Sequence, residues 1–427
     1  MDAASGDVLF ARGQMAYSLG FHMVFAAIGI AMPLLMVVAE WRWRRTGRAQ
    51  YLELARRWSK GTAVFFAIGA VSGTVLSFEL GLLFPGFMEL AGPFIGMPFS
   101  LEGIAFFTEA IFLGLYLYGW DRLRPAVHMA CGAVVALSGL LSAVFVTLVN
   151  AWMNAPRGFR LDGGRLVDID PVAALGSPFA VHEIAHGLLA AYMATAMAVA
   201  AIHAWALLKV PGAALHRAAL HLALALAIPC ALAQPLVGHS AGQAVAEHQP
   251  LKLAAMEGLE RTTAGAPAHL GPVSIPRGLS LMAYSDPDAV VRGLEEFPAA
   301  DRPHPVVRVG FQVMVLLGTA AAGWAVLTLA LWLRRWRRGL PEARSWLWLT
   351  VLLGPAGVIA MEAGWIVTEV GRQPWAVYGV LRTADAVTPV RQLWLPFSLF
   401  ALIYVGLAAA ATLVLVRQVR QTTGEAR

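Results

Sequence analysis

Apolar runs of about 20 residues recur along the whole chain, and each is long enough to cross a ~30 Å hydrocarbon core. Nine spans are predicted, at roughly 16–39, 59–80, 98–119, 127–151, 181–208, 219–238, 306–333, 347–369 and 392–416. Only 14% of the 427 residues are charged, whereas soluble domains hold about 25%. The sequence therefore predicts an all-α, polytopic bundle of nine transmembrane helices. The first run is too long for a cleavable signal peptide, so we expect it to remain as a helix.

The polar connections divide the chain and orient it in the membrane. Helices one to six fall in 1–238, a long polar segment in 239–305, and helices seven to nine with a tail in 306–427. Lys and Arg concentrate in the odd-numbered connections and the tail, and the second connection, 81–97, has neither. The seventh connection holds Arg334, Arg335, Arg337, Arg338 and Arg344, and the tail holds Arg417, Arg420 and Arg427. By the positive-inside rule, the N-terminus and the long segment face outward and the C-terminus faces the cytoplasm.

Ionisable side chains are costly inside hydrocarbon, so each one within a predicted span is a functional candidate. The candidates are His22, Glu79, Glu102, Glu109, His128, His182, Glu183, His186, His203, His221, Glu362 and Glu369. A simple scaffold subunit has no need of so many. The set predicts a buried redox, proton-transfer or transport site.

Four potential iron ligands from four helices fall in one layer of the outer third of the membrane. At 1.5 Å per residue, His22, His186, Met314 and Glu362 lie about 9–12 Å below the outer ends of their spans. Imidazole, thioether and carboxylate all suit haem iron, and His with Met is typical of low-spin electron-transfer haems. No CxxCH motif is present, so covalent haem attachment is not expected. Taken singly, His22 could be a polar contact, Met314 a packing residue and Glu362 the partner of an arginine.

Two other classes of function remain open from the residues alone. His182-Glu183-Ile184-Ala185-His186 spells HExxH, which on a helix places two histidines on one face beside a general base, as in zinc proteases. An intramembrane zinc metalloprotease would also need a third ligand, for which Glu362 is available. Buried carboxylates could instead form the substrate site of a proton-coupled transporter.

The sequence resembles subunit I of cytochrome bd-type quinol oxidases over residues 12–416. The most specific match is Glu362-Ala363-Gly364-Trp365 followed by Gly371-Arg372-Gln373-Pro374-Trp375. Further matches are Leu101-Glu102-Gly103, Phe106-Phe107-Thr108-Glu109, Gly119-Trp120-Asp121-Arg122-Leu123, Asn150-Ala151-Trp152-Met153 and Lys252-Leu253-Ala254-Ala255-Met256-Glu257. The motifs that carry this resemblance are spread over most of the chain.

The resemblance implies three non-covalent haems and a quinol site. His186 and Met314 would ligate a low-spin haem b, and His22 and Glu362 would ligate two high-spin haems, one a haem b and the other a haem d or a third haem b. Arg372 and Trp375 would lie at the cofactors. Lys252 and Glu257, in the outer loop, would bind and deprotonate quinol.

The resemblance also implies a reaction, a proton path and partners. Quinol would be oxidised at the outer face and O₂ reduced to water with cytoplasmic protons, which is electrogenic without proton pumping. The predicted proton path runs through His128, Glu109, Ser142 and Glu102; the two glutamates are seven residues apart and share a helix face. Alternatively, Glu109 merely bonds a neighbouring helix.

We expect the partners of this chain to lie in the bacterial cytoplasmic (inner) membrane. They are a second oxidase subunit of similar size and a small single-span subunit. Nucleic acid is not expected, because the net charge of +6 is spread over short membrane connections.

Some residues depart from the family pattern. The outer loop is short, and Gln312 stands where members with a longer loop have an arginine near the low-spin haem. Glu79, with the spacing from Glu102 to Glu109, resembles the cyanide-insensitive branch of the family. The occupant of the haem d position is therefore left open.

Overall fold

The computed structural model describes residues 3–162, 165–334 and 342–424. Arg335, Arg337, Arg338 and Arg427, four of the arginines that orient the chain, lie outside these ranges. The helices are α1 (Ala3–Thr46), α2 (Ala49–Leu83), α3 (Pro85–Tyr118), α4 (Pro125–Asn154), α5 (Pro171–Leu175), α6 (Ala180–Lys209), α7 (Ala214–His248), α8 (Pro250–Glu257), α9 (Gly278–Tyr284), α10 (Val306–Arg334), α11 (Arg344–Leu353), α12 (Ala356–Val370), α13 (Thr383–Ala386) and α14 (Trp394–Gly424).

The strands are short and lie in the connections between helices. They are β1 (Arg160–Asp162), β2 (Arg165–Val167), β3 (Thr263–Ala264), β4 (Ala268–Leu270), β5 (Val273–Ile275), β6 (Val290–Val291), β7 (Trp375–Val377) and β8 (Leu381–Arg382). They form antiparallel pairs, β1 with β2, β3 with β6, β4 with β5 and β7 with β8. Two 3-10 turns, Leu294–Glu296 and Ala299–Asp301, follow β6.

Nine helical segments of the described chain are long and apolar enough to cross a membrane, as the sequence predicts. They are α1, α2, α3, α4, α6, α7, α10, α11 together with α12, and α14. Several bounds differ from the prediction. α1 and α3 begin at Ala3 and Pro85, ahead of the predicted starts at 16 and 98, so the predicted second connection, 81–97, is almost wholly helical. α7 continues to His248, past the predicted end at 238, and the eighth span is broken into α11 and α12 at Gly354 and Pro355. Proline has no backbone N–H to continue the ladder, which accounts for the break.

The centre of the bundle is formed by α6 and α7. Half of the apolar stretch of α6 is buried inside the protein, against 11% for α14. Small residues allow the close packing: a Cβ on Gly357 of α12 would lie 2.6 Å from Cα of Ala194 on α6. Helices in membranes associate through close backbone contact at Gly and Ala, because the hydrophobic effect does not favour helix association inside lipid.

Four helix pairs hold the residues singled out by the sequence. α1 packs along α2, α3 along α4, α6 along α7, and α10 along α12. The segment between α7 and α10 folds over one end of the bundle. Together with the end of α7 it forms a small core of Ala246, Leu253, Ala266, Ala268, Leu279, Ala283 and Val291. An ion pair of 2.5 Å between Arg382 of β8 and Asp301 ties this segment to the connection that follows α12.

Candidate functional site

His22 of α1 has one ring nitrogen held and the other left for a ligand. Its Nδ1 lies 3.0 Å from the hydroxyl of Ser72 on α2. That hydroxyl already donates to the carbonyl of Ile68 at 2.9 Å, so it accepts from Nδ1–H, and Nε2 keeps its lone pair. A ligating histidine is usually oriented by such a bond from its other nitrogen. A Cβ on the adjacent Gly73 would lie 3.0 Å from the ring, so glycine makes room for it.

Glu362 of α12 lies beside α1, where a Cβ on Gly20 would be 3.4 Å from its Oε2. Its Oε1 is buried and has no hydrogen-bond partner among the described residues. Among the described residues, Glu362 is therefore not paired with an arginine. The carboxylate that bonds Arg372 is that of Glu369, about two turns further along α12. A buried carboxylate oxygen without a partner is costly unless a ligand occupies it.

His186 of α6 and Met314 of α10 also have glycines beside them. The side-chain amide of Gln234 lies 3.2 Å from His186 Nε2, whereas Nδ1 is buried without a partner in the part of the chain that is described. A Cβ on Gly238 would lie 3.2 Å from the imidazole. A Cβ on Gly364 of α12 would lie only 2.9 Å from the thioether sulfur of Met314.

These four side chains fit haem iron. Imidazole and thioether are established axial donors to haem iron, a carboxylate oxygen is a further donor that iron accepts, and the glycines leave space at each side chain. Arg372 fits the periphery of such a group: its Nη2 bonds Glu369, while Nε and Nη1 are buried with no acceptor in the described structure. Unused guanidinium donors suit a propionate. Trp375 lies in the same motif, under the guanidinium of Arg382 at 4.6 Å.

Lys252 of α8 points into a buried polar cluster. Its Nζ donates to Oδ1 of Asn154 at 2.8 Å, and the pKa of Lys252 is lowered by burial and by the nearby Arg372, against the opposing pull of Glu183 and Glu369. Asn154 also donates to Glu183 at 3.1 Å. A cleft of about 440 Å³ borders Asn154.

Glu257, at the other end of α8, has a different environment. Its Oε2 accepts from the backbone N–H of His269 on β4 at 3.4 Å. Burial raises the pKa of Glu257 to about 7, with the His269 bond and Arg308 acting in the opposite direction. The two predicted quinol residues therefore lie in separate surroundings, one inside the cluster and one under the β4–β5 pair.

Two of the predicted proton-path residues are in contact. The hydroxyl of Ser142 on α4 donates to Glu102 of α3 at 3.1 Å. Glu109, two turns along α3, is buried against α4, and a Cβ on Gly139 would lie 3.3 Å from its carboxylate. The α3–α4 pair thus presents Glu102, Ser142 and Glu109 along one seam.

His128 belongs to a second, separate cluster that includes Glu40. Its Nδ1 lies 3.0 Å from the carboxylate of Glu40. Its Nε2 lies 2.9 Å from the backbone carbonyl of Tyr116, and because a carbonyl only accepts, Nε2 is the donor of that bond. Arg44 also bonds Glu40, at 2.5 Å. Sequence reasoning missed Glu40 because the first predicted span ends at 39; the signal available was its spacing of four residues from Arg44.

An apolar layer lies between that cluster and Glu109. It contains Met36, Leu113 and Val135, all at most 2% exposed. These residues sit one to two turns from Glu40, Glu109 and Gly139 along their helices. The predicted path is therefore polar at both ends and apolar in its middle.

The remaining candidates have ordinary polar partners. Glu79 accepts from Gln14 at 2.9 Å and from Ser18 at 3.0 Å. His203 and His216 are bonded to each other at 2.9 Å. His221 bonds the carbonyl of its own helix at Arg217.

The HExxH side chains diverge in the structure. His182 bonds Ser240 at 3.1 Å, Glu183 bonds Asn154, and His186 bonds Gln234. Within the described ranges, no group of three or more His, Cys, Asp or Glu side chains could hold a metal ion. The zinc-protease alternative therefore lacks its site.

The nine candidate spans of the described residues, with donor side chains of the imidazole, thioether and carboxylate types inside them, are typical of the class of membrane-bound haem proteins. The chain matches the family profile of cytochrome bd terminal oxidase subunit I over residues 10–423 and belongs to that family.

Solved and curated proteins show the same relationship. The bd oxidase structure from Geobacillus thermodenitrificans superposes with a TM-score of 0.90 at 39% identity, covering 99% of this chain and 100% of that one. A candidate cytochrome bd menaquinol oxidase subunit I of Bacillus subtilis strain 168 is 34% identical over 434 residues, with 97% of each chain covered. The cytochrome bd-II ubiquinol oxidase subunit 1 of Escherichia coli K12 is 27% identical, with 93% of each covered.

Proposed function

We propose that this chain carries the haems and the quinol site of a terminal respiratory oxidase. As a member of its family, it is subunit I of a quinol:oxygen oxidoreductase embedded in a membrane. The observation that carries the proposal is the set of four ligand-type side chains, each beside a glycine, among which Glu362 Oε1 and His186 Nδ1 are buried without partners in the described residues.

We assign the four side chains to three haem positions. His186 and Met314 would hold a low-spin haem b, while His22 and Glu362 would each hold a high-spin haem, of which one is a haem b and the other a haem d or a third haem b. When bound, the haems supply electron transfer and the reduction of O₂ to water. Arg372 would neutralise propionate charge with the two donors it has free of protein partners in the described structure.

Protons are moved by carboxylates at two separate places. Glu257 would take protons from quinol on the outer side. Glu102, Ser142 and Glu109 would hold and pass protons taken up on the other side, with His128 at the far end of α4 and Glu40 of α1 beside it. Net charge would then cross the membrane without a pumping step.

The orientation and partners follow the charge pattern and the exposed surface. The arginine-rich connections place the C-terminus in the cytoplasm and the segment after α7 outside the bacterial inner membrane. Helix α14 is 11% buried, and its remaining apolar surface would face lipid or the second subunit. We propose a heterodimer with subunit II, to which a small single-span subunit is added.

One preparation tests the function. The purified complex should show haem bands in its reduced-minus-oxidised spectrum, and haem extraction should identify the types present. It should consume O₂ when supplied with quinol. His186→Leu and Met314→Leu should each remove the low-spin signal, whereas Met97→Leu, at an exposed position, should not. A colourless complex, or an unchanged spectrum in both ligand variants, contradicts the proposal.

A further inference from the structure

The carboxylate of Glu257 is enclosed, so a proton that it accepts needs a route to water. Its side chain is 7% exposed. The charged and titratable groups that face it are Arg308, from α10, and His269, from β4. Arg308 lies against Gly258, where a Cβ would be 2.6 Å from its side chain. A guanidinium does not release its proton, which leaves His269 as the acceptor.

The ring of His269 spans from the carboxylate to the surface. Its Nδ1 lies 3.9 Å from Oε2 of Glu257, and this nitrogen is buried without a hydrogen-bond partner in the described part of the chain. The side chain as a whole is 35% exposed. Because Nδ1 is buried, the exposed part is the rest of the ring.

The backbone around His269 is fixed by Gln312 of α10. The amide of Gln312 donates to the carbonyl of His269 at 3.0 Å, and its oxygen accepts from the N–H of Gly271 at 2.8 Å. Gln312 lies two residues before Met314 on the same helix. The β4–β5 turn is thereby fastened to the helix that carries a proposed haem ligand, which keeps the imidazole beside Glu257.

We propose that His269 is the proton-release residue of the quinol site. It receives from Glu257 the proton that Glu257 takes from a quinol hydroxyl, and passes it to water on the outer side. The assignment rests on the proposed quinol site and extends it to a residue outside the Lys252–Glu257 motif.

The transfer balances in three steps, which run twice for each quinol, once per proton. A quinol O–H bond breaks as a carboxyl O–H forms on Glu257; that bond then breaks as an N–H forms on His269; the imidazolium finally releases H⁺ to water. Loss of two protons and two electrons converts quinol to quinone, and the electrons leave to O₂, the oxidant of the established reaction. A gap of 3.9 Å is too long for a hydrogen bond, so a small ring rotation or one bridging water completes the route.

The raised pKa of Glu257, about 7, suits this role. Histidine side chains commonly serve as proton shuttles in proteins. A general base works best when its pKa is close to the working pH.

The test compares two electron donors in the purified oxidase. In His269→Ala, quinol-driven O₂ consumption should fall about 100-fold. Consumption driven by ascorbate with tetramethyl-p-phenylenediamine, which gives electrons but no proton, should be unchanged, as should the haem spectrum. Added imidazole should restore quinol turnover in His269→Ala and not in His269→Phe, whose ring fills the space.

The control is His304→Ala, at an exposed position of the same segment, which should keep full quinol turnover. If His269→Ala assembles poorly, His269→Gln keeps the size of the side chain and should show the same loss. Normal quinol turnover in His269→Ala or His269→Gln, or a loss in His269→Ala that imidazole does not repair, overturns the proposal. If the proposed quinol site itself were wrong, the result would differ: the unmodified oxidase would consume O₂ with ascorbate and tetramethyl-p-phenylenediamine but not with quinol.

Discussion

The hydroxyl of Ser72 accepts a hydrogen bond from Nδ1 of His22 while donating its own proton to the backbone of α2. Two neighbouring helices thus select the tautomer of a proposed iron ligand before any haem is present. The bond leaves Nε2 as the nitrogen with a free lone pair, which is the form that binds iron.

Ser72→Ala should weaken haem binding at His22. Loss of an orienting partner usually costs about 10–100-fold in metal affinity or activity. Haem content and the high-spin part of the spectrum measure this directly. Ser77→Ala, on an exposed face of the same helix where the hydroxyl bonds only its own backbone, should leave both unchanged; equal losses in the two variants would contradict the role of Ser72.

Gly364→Ala should disturb the low-spin site through one added methyl group. That methyl would lie 2.9 Å from the sulfur of Met314, so the thioether must move. Alanine favours helix by about 1 kcal/mol over glycine, so the helix itself should survive. The low-spin band should shift or weaken, whereas Gly318→Ala on α10, with nothing within 4 Å of the added atom, should keep the native spectrum.

Glu109→Gln should lower turnover and leave the haems in place. The amide keeps the shape of the buried side chain but cannot carry a proton, and the loss should be at least about 10-fold. O₂ consumption is measured at equal haem content. Glu89→Gln, an exposed carboxylate on the same helix, is the matched control. Unaltered turnover in Glu109→Gln would leave the relay without support.

Lys252→Met should reduce stability as well as quinol turnover. The change removes the donor that lies 2.8 Å from Oδ1 of Asn154 and leaves that oxygen the longer bond from the side-chain amide of Gln249, at 3.5 Å. Loss of a buried hydrogen bond costs about 1 kcal/mol. The midpoint of thermal unfolding should fall. Lys60→Met, at an exposed position of α2, should not change it; a fall in turnover with no fall in midpoint would favour a role in quinol binding alone.

Residue order alone was sufficient for the number of spans, and it also named the side chains that we propose as ligands. Each span depends on the transfer of about 20 consecutive residues into hydrocarbon, which is a local property. Motifs such as Glu362-Ala363-Gly364-Trp365 likewise name donor atoms without reference to the rest of the chain. His22, His186, Met314 and Glu362 were predicted in this way, and their roles as ligands stay predictions.

Tertiary structure decided which polar groups meet. The packing of the helices brings Glu40 beside His128 and places an apolar layer between that pair and Glu109. It also directs Lys252 and Glu257 into separate surroundings and sets His269 beside Glu257. The partner of a buried polar group is set by packing across elements far apart in the chain. No local pattern of residues contains that information.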